Sequence, residues 1–348
     1  GTETLRDKIA LVHYVAPSSW AYKHKFKKID STAIGLSKLF DHMLVILPFE
    51  QQLFQPKTST RKCVTFVGHP ALEDFCERLD LFKKRKVDGA LFDEWKKIYN
   101  SITWNASPWC TNMVSNDLKS FLIHKAKKST NSHVNTFTIC ALVGSRENEV
   151  LQTIDLVKAA VDKFVHFSNV KVQVVFPTIS NLAPLIHQHL ENWQVPFFVN
   201  VDDNTSKKNS IYEASTVAIA VSGTVILETT LAGLPTIVIY RANRLTEILA
   251  KHLARVNYVS IPNIMSSKEL IPELLFTKCT SDNIFSAIQK MEQNINARKN
   301  DEVSTKEIEL CHSMSSLIEW TEGYPTPQKA SEIAARVQKY GLNTAHCH

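Results

Sequence analysis

Most strands of this chain read as apolar-rich runs, some unbroken and others carrying one or two polar positions. Residues 9–16 (IALVHYVA), 43–47 (MLVIL), 63–67 (CVTFV), 136–143 (TFTICALV), 170–176 (VKVQVVF) and 236–240 (TIVIY) are such runs, with shorter ones at 196–199 and 216–221. A strand loses its alternation when both faces of its sheet are covered. Between the runs lie stretches of helical periodicity at 29–41, 147–167, 182–193, 225–232 and 282–294, and Gly233 stands where the fourth needs a C-cap. Strand and helix in alternation predict an α/β fold with parallel sheets, in which ligands gather at the carboxyl ends of the strands.

The pattern divides the chain. Residues 1–78 hold strand–helix–strand–helix–strand, three strands where a sheet covered on both faces usually has more. This half-domain is expected to be incomplete at its front, and the chain opens on Gly1 rather than Met. Residues 79–135 are rich in Lys, Asn and Ser, with Trp95, Trp104 and Trp109 dispersed and one helix predicted near 91–99. They read as a linker or insertion. Residues 136–280 form a Rossmann-like domain of repeated β–α units, and 281–348 a set of C-terminal helices.

Composition narrows the function classes. With 348 residues, 44% hydrophobic and 21% charged, the chain has the balance of a globular protein and not of a disordered one. None of the apolar runs approaches the ~18 residues of a spanning helix. Seven cysteines without a C-x-x-C pair fit a reducing compartment and argue against a disulfide framework or a zinc site; no metal is expected. The net charge of +6 is clustered at Lys23, Lys25, Lys27 and Lys28, at 83–86, and at Lys125, Lys127 and Lys128. Apart from the Trp20/Tyr22 pair, neither a nucleic-acid-binding motif nor base-stacking aromatics accompany these clusters, so no nucleic acid is expected. An anionic membrane surface suits the first cluster better.

Two strand ends carry candidate chemistry. The strand at 136–143 runs into Gly144-Ser145-Arg146 and then a helix, and the strand at 216–221 runs into Ser222-Gly223-Thr224 and a helix bearing Glu228. A small residue lets the backbone approach a ligand, and a helix start offers free N–H groups to a diphosphate. Arg146 can add a charge-assisted bond. Glu228, one helical turn after Thr224, can accept from ribose hydroxyls. The plainer reading is that these Ser and Thr residues are N-caps. Neither G-x-G-x-x-G nor G-x-x-x-x-G-K-[ST] is present, which weakens dehydrogenase and P-loop readings.

The stretches HYVAPSSWAYKHKFKKI, LVILPFEQQLF, FVGHPALED, GSRENEV and the long segment from VSGTVILETTLAGLPTIVIYR to SIPNIMSSKELIPELL resemble the lipid-A-disaccharide synthase family, with YVAPSSWA and FVGHPALED closest to its plant mitochondrial form. The resemblance covers residues 9–79 and 136–275. It implies a GT-B glycosyltransferase with two Rossmann-like domains facing a cleft, the N-terminal one incomplete here. The implied reaction moves 2,3-diacylglucosamine from UDP-2,3-diacylglucosamine to 2,3-diacylglucosamine 1-phosphate with inversion, without a metal or other cofactor. It also implies a mitochondrial, peripheral-membrane location if the source is a plant.

Carried onto this sequence, the resemblance assigns Gly144, Ser145 and Arg146 to the UDP moiety and Ser222, Gly223 and Thr224 to the diphosphate. It assigns Glu228 to the ribose, Asn263 to the donor or its phosphates, and Tyr240 and Arg241 to the cleft lining. Trp20, Tyr22 and Lys23 would border the acceptor and the membrane, unless the aromatic pair merely packs its own loop. Val143 replaces the Pro that the family places before Gly-Ser-Arg. The family's Gly-rich loop and acidic general base belong upstream of residue 9, so a truncated chain is expected, and two other readings stay open: a catalytically inactive UDP-sugar- or lipid-binding remnant without that base, or another GT-B transferase that uses a UDP-aminosugar.

Overall fold

The computed structural model describes residues 10–22, 28–57, 63–71, 136–202, 208–241 and 256–298. Lys23, the other lysine clusters except Lys28, and the helix predicted near 91–99 lie outside these residues. The described residues fall into two compact units, one holding 10–71 with 256–257, the other 136–241 with 258–298.

In the first unit, β1 (Val12–Tyr14), β2 (His42–Val45) and β3 (Val64–Phe66) pair in parallel in the order β1-β2-β3. Helices α1 (Ile29–Leu39) and α2 (Glu50–Phe54) connect them. The first strand is shorter than its apolar run because Val15 takes a left-handed φ of 72°. The second stops at Val45, ahead of a turn in which Leu47 N–H donates to the Glu50 carboxylate at 3.0 Å.

The second unit is a six-stranded parallel sheet. Its strands are β4 (Thr136–Leu142), β5 (Lys171–Thr178), β6 (Phe197–Val201), β7 (Val217–Val221), β8 (Thr236–Tyr240) and β9 (Glu273–Leu275), ordered β6-β5-β4-β7-β8-β9. Every residue of β7 is buried, as its apolar run predicts. The connecting helices are α3 (Glu147–Phe167), α4 (Ala183–His189), α5 (Lys208–Ala214), α6 (Val225–Leu231) and α7 (Ile261–Ser266), followed by α8 (Ser281–Arg298). Helix α3 buries Val150, Ile154, Val157, Val161 and Phe164 on one stripe against the sheet. It packs α8 alongside through Phe167 on Phe285 and an ion pair between Lys163 and Asp282.

Helix ends follow local chemistry. Gly233, at φ 70°, closes α6: its N–H donates to Thr230 O and Leu234 N–H to Thr229 O, the paired bonds of a Schellman motif. Helix α4 is shorter than its periodicity predicts. Leu190 N–H already turns back onto Ile186 O and His187 O, and Asn192 reverses the chain at φ 62°. That reversal brings Trp193 back onto Phe176 and Phe197.

Candidate functional site

From β4 the chain steps to β5 and β6 on one side, then crosses back to β7, β8 and β9 on the other. In open sheets of this kind ligands gather outside the carboxyl ends where that direction reverses, which here is between β4 and β7. Register pairs Leu142 with Ala220. Two residues beyond that pair, on neighbouring strands, begin Gly144-Ser145-Arg146 and Ser222-Gly223-Thr224. Strands about 4.8 Å apart bring the two turns side by side. The end of β8 lies next along, with Tyr240 set edge-on against Phe276 and Arg241 exposed.

The first turn is closed by a residue that the sequence reading did not single out. Glu149, in the first turn of α3, accepts from Ser145 N–H at 2.9 Å and from Arg146 Nη1 at 2.6 Å. Gly144 has φ 125°, and a Cβ placed there would lie 2.4 Å from Glu149 Cβ. Thr153 Oγ1 lies 2.8 Å from the carbonyl oxygens of both Val143 and Glu149, tying the end of β4 to the helix. Val143 is itself buried, so the residue standing in place of the family's proline anchors the turn by packing.

The second turn is less occupied. Ser222 N–H donates to Ile239 O at 3.0 Å, which fixes the turn to β8. Thr224 stands at the N-cap of α6 but makes no side-chain capping bond, so the plainer capping reading does not account for its hydroxyl. A Cβ on Gly223 would meet nothing within 4 Å. One turn on, Glu228 Oε2 accepts from the Tyr212 hydroxyl at 3.1 Å. Tyr212 is buried on α5, and burial, then the charge of Glu228, raises its pKa, so the phenol stays a donor. Sequence reasoning missed Tyr212 because the segment before it carries no clear periodicity.

Asn263 requires a correction. It is wholly buried, its Nδ2 donates to Ile271 O at 2.7 Å and Glu273 Oε1 at 2.8 Å, and its Oδ1 accepts from Leu270 and Ile271 N–H at 2.8 and 2.9 Å. Two donors and two acceptor positions are the whole capacity of an amide. Asn263 therefore pins the turn between α7 and β9 and has nothing left for a ligand. Glu273 completes that cluster by accepting from Val259 and Ser260 N–H and from the Ser260 hydroxyl.

In the first unit, Trp20 lies in a single 3-10 turn (Ser18–Ala21) and is buried. Its indole N–H donates to Glu50 Oε1 at 3.0 Å, and its ring meets Phe49 edge-on at 4.9 Å. Of the two readings open for the aromatic pair, packing describes Trp20, and Tyr22, 39% exposed, is the member that faces outward. Glu50 is buried under this loop. Burial raises its carboxyl above the ordinary value, and bonds from Leu47 N–H, the Trp20 indole and Ile46 N–H pull it back. Burial also pushes the His69 imidazole down to about 4, and its Nδ1 accepts from Ala71 N–H at 3.2 Å.

Comparison with known proteins identifies the family. The family model described as lipid-A-disaccharide synthetase matches residues 3–91 and 116–319. A probable mitochondrial lipid-A-disaccharide synthase of Arabidopsis thaliana is 30% identical over 87% of this chain and 58% of its own length. The lipid-A-disaccharide synthase of Rhodospirillum centenum is 28% identical over 84% of this chain and 59% of its own. The chain thus spans less than two thirds of these curated relatives. A solved S. aureus MnaA–UDP structure aligns with a TM-score of 0.47 at 13% identity, covering 88% of this chain and 62% of that one. On the family match, which takes in both units, this chain belongs to the lipid-A-disaccharide synthetase family.

Proposed function

We propose that this chain carries the donor half of a GT-B lipid-A-disaccharide synthase. It would bind UDP-2,3-diacylglucosamine at the switch point and serve transfer of the diacylglucosaminyl group to 2,3-diacylglucosamine 1-phosphate. The observation that carries the proposal is the pairing of two turns at the carboxyl ends of β4 and β7, with Glu228 held one helical turn behind the second by a buried phenol. Family membership supports the substrate class.

In this reading Ser145, Arg146 and the Ser222–Thr224 turn meet the diphosphate, Glu228 accepts from the ribose hydroxyls, and Tyr240 and Arg241 line the same crevice. The acceptor's 6-hydroxyl attacks the anomeric carbon, its proton passes to a general base, and the bond to the β-phosphate oxygen breaks with inversion. Arg146 and the N–H groups of Gly223 and Thr224 would stabilise the charge that collects on departing UDP. Tyr22 and Lys23 would border the acceptor, with the neighbouring lysines meeting an anionic membrane surface. A mitochondrial location is proposed from the Arabidopsis relative's name, and a peripheral membrane position from the lysine cluster. Among the described residues no helix is long and apolar enough to cross a membrane.

The test is calorimetric titration with UDP. Glu228→Ala is expected to weaken binding by about 1–3 kcal/mol through loss of charged hydrogen bonds. An unchanged affinity removes Glu228 from the site. Labelled transfer from UDP-2,3-diacylglucosamine to the acceptor 1-phosphate tests the reaction itself.

A further inference from the structure

The groups of the first turn best suited to an anion already face one. Ser145 N–H and Arg146 Nη1 both end on the Glu149 carboxylate, on different oxygens. Arg146 is nevertheless 79% exposed at its side chain and Glu149 only 22%. A guanidinium has five N–H donors, and the bond from Nη1 to Glu149 commits one of them. The close seat of Glu149 exists because residue 144 has no side chain: a Cβ there would also come within 2.9 Å of Glu149 Oε2. Thr153 fixes the backbone of Glu149 from the other side. The carboxylate is therefore held by Ser145 N–H and its backbone by Thr153, and the arginine leans on it.

We propose that Glu149 is a positioning residue of the donor site: it holds the Gly144–Arg146 turn and sets the Arg146 guanidinium so that its remaining N–H groups meet the phosphates of a nucleoside diphosphate. This rests on the reading of the switch point as a UDP-sugar site. Glu149 does not itself touch the ligand. An unrestrained arginine must give up rotamer freedom on binding, and one already braced gives up less. Against this, a carboxylate close to a diphosphate repels it. The two effects have opposite signs, so the variants decide between them.

The experiment titrates the 348-residue chain and its E149A and E149Q variants with UDP and, separately, with uridine, which has no phosphate. Braced positioning predicts that E149A loses at least tenfold in UDP affinity while uridine binding stays within twofold. E149Q keeps one acceptor oxygen and most of the volume, so it should fold normally and lose less. In an R146A background, E149A should cost much less than it does alone, because the group it acts through is gone. Tighter UDP binding by E149Q would show Glu149 to be a competing anion and overturn the proposal. Equal losses for UDP and uridine would reduce it to a merely structural residue. If the unmodified chain binds UDP and both variants match it, this inference fails alone. If the unmodified chain binds neither ligand, the donor-site reading fails and takes the inference with it.

Discussion

Gly144 and Gly223 look alike in the sequence, each the small residue of a turn between strand and helix, yet alanine should act oppositely at the two. At Gly144 the new Cβ would lie 2.4 Å from Glu149 Cβ and 3.4 Å from Glu149 C, where carbon atoms normally rest at about 3.5–4.0 Å. Glu149 cannot swing aside, because the clashing atom is its own Cβ on helix α3, and α3 is anchored by the fully buried Val150 and Ile154. The turn or the helix end must therefore move by roughly 1 Å. Overpacking of this kind costs about 1–3 kcal/mol. The φ of 125° at Gly144 is one that L-residues rarely adopt and adds about 1–3 kcal/mol more. Gly144→Ala should thus destabilise the second unit by about 2–6 kcal/mol. Gly223→Ala meets nothing within 4 Å and has no positive φ, so its stability should stay within about 0.5 kcal/mol of the parent.

Urea denaturation followed by circular dichroism measures both variants, and titration with UDP gives the second axis. Gly223→Ala is expected to fold as the parent does and to bind UDP at least tenfold more weakly, about 1.4 kcal/mol, because only a ligand approaching that backbone has a use for the missing Cβ. A Gly144→Ala chain as stable as the parent would refute the packing of Glu149 against the turn. A Gly223→Ala chain with full UDP affinity would remove the second turn from the diphosphate.

Three further outcomes can be checked. Tyr212→Phe removes the donor that holds Glu228, and UDP affinity should fall by about 0.5–1.5 kcal/mol, less than for Glu228→Ala, as titration would show; an equal or larger fall would mean that the phenol does more than orient. Glu50→Ala strands the Trp20 indole N–H and Leu47 N–H in a buried place, for an expected loss of about 2–4 kcal/mol in urea midpoint analysis of the first unit. His69 has its pKa lowered from 6.5 to about 4 by burial, so between those values the unfolded chain binds the extra proton. Stability of the first unit should be full above pH 6.5 and fall as pH drops through the window, by about 3 kcal/mol in all; His69→Gln should flatten that slope, and an unchanged slope would assign the acid sensitivity elsewhere.

What the sequence made legible was what local pattern controls. Apolar-rich runs marked buried parallel strands because both faces of β4, β5, β7 and β8 are covered, and Gly233 marked the end of α6 because a left-handed residue closes that helix. The two turns of the site were legible as small residues between strand and helix. The polar contacts that complete the site were not, because they join positions that no short-range rule connects. Tyr212 reaches Glu228 across 16 positions and Trp20 reaches Glu50 across 30. Glu149 is only three residues from Arg146, but an acid in the first turn of a helix has an ordinary reason to be there, and that reason masked a second one. Asn263 shows the reverse error. A polar residue in a motif invites a ligand role, and only the four bonds around its amide reveal that it is spent on its own turn.

The same accounting separates the two halves of the switch point. In the Gly144–Arg146 turn the glycine is required by the packing of Glu149, so a change at residue 144 alters fold and binding together and cannot be read for function alone. In the Ser222–Thr224 turn the glycine relieves no internal clash and the Thr224 hydroxyl caps no helix. Residues that the fold does not require, on the strand beside a turn that it does, point to a requirement from outside the chain. Substitutions at residues 222–224 are therefore the ones whose effects report on the ligand, and Gly223→Ala is the change that separates that requirement from the demands of folding.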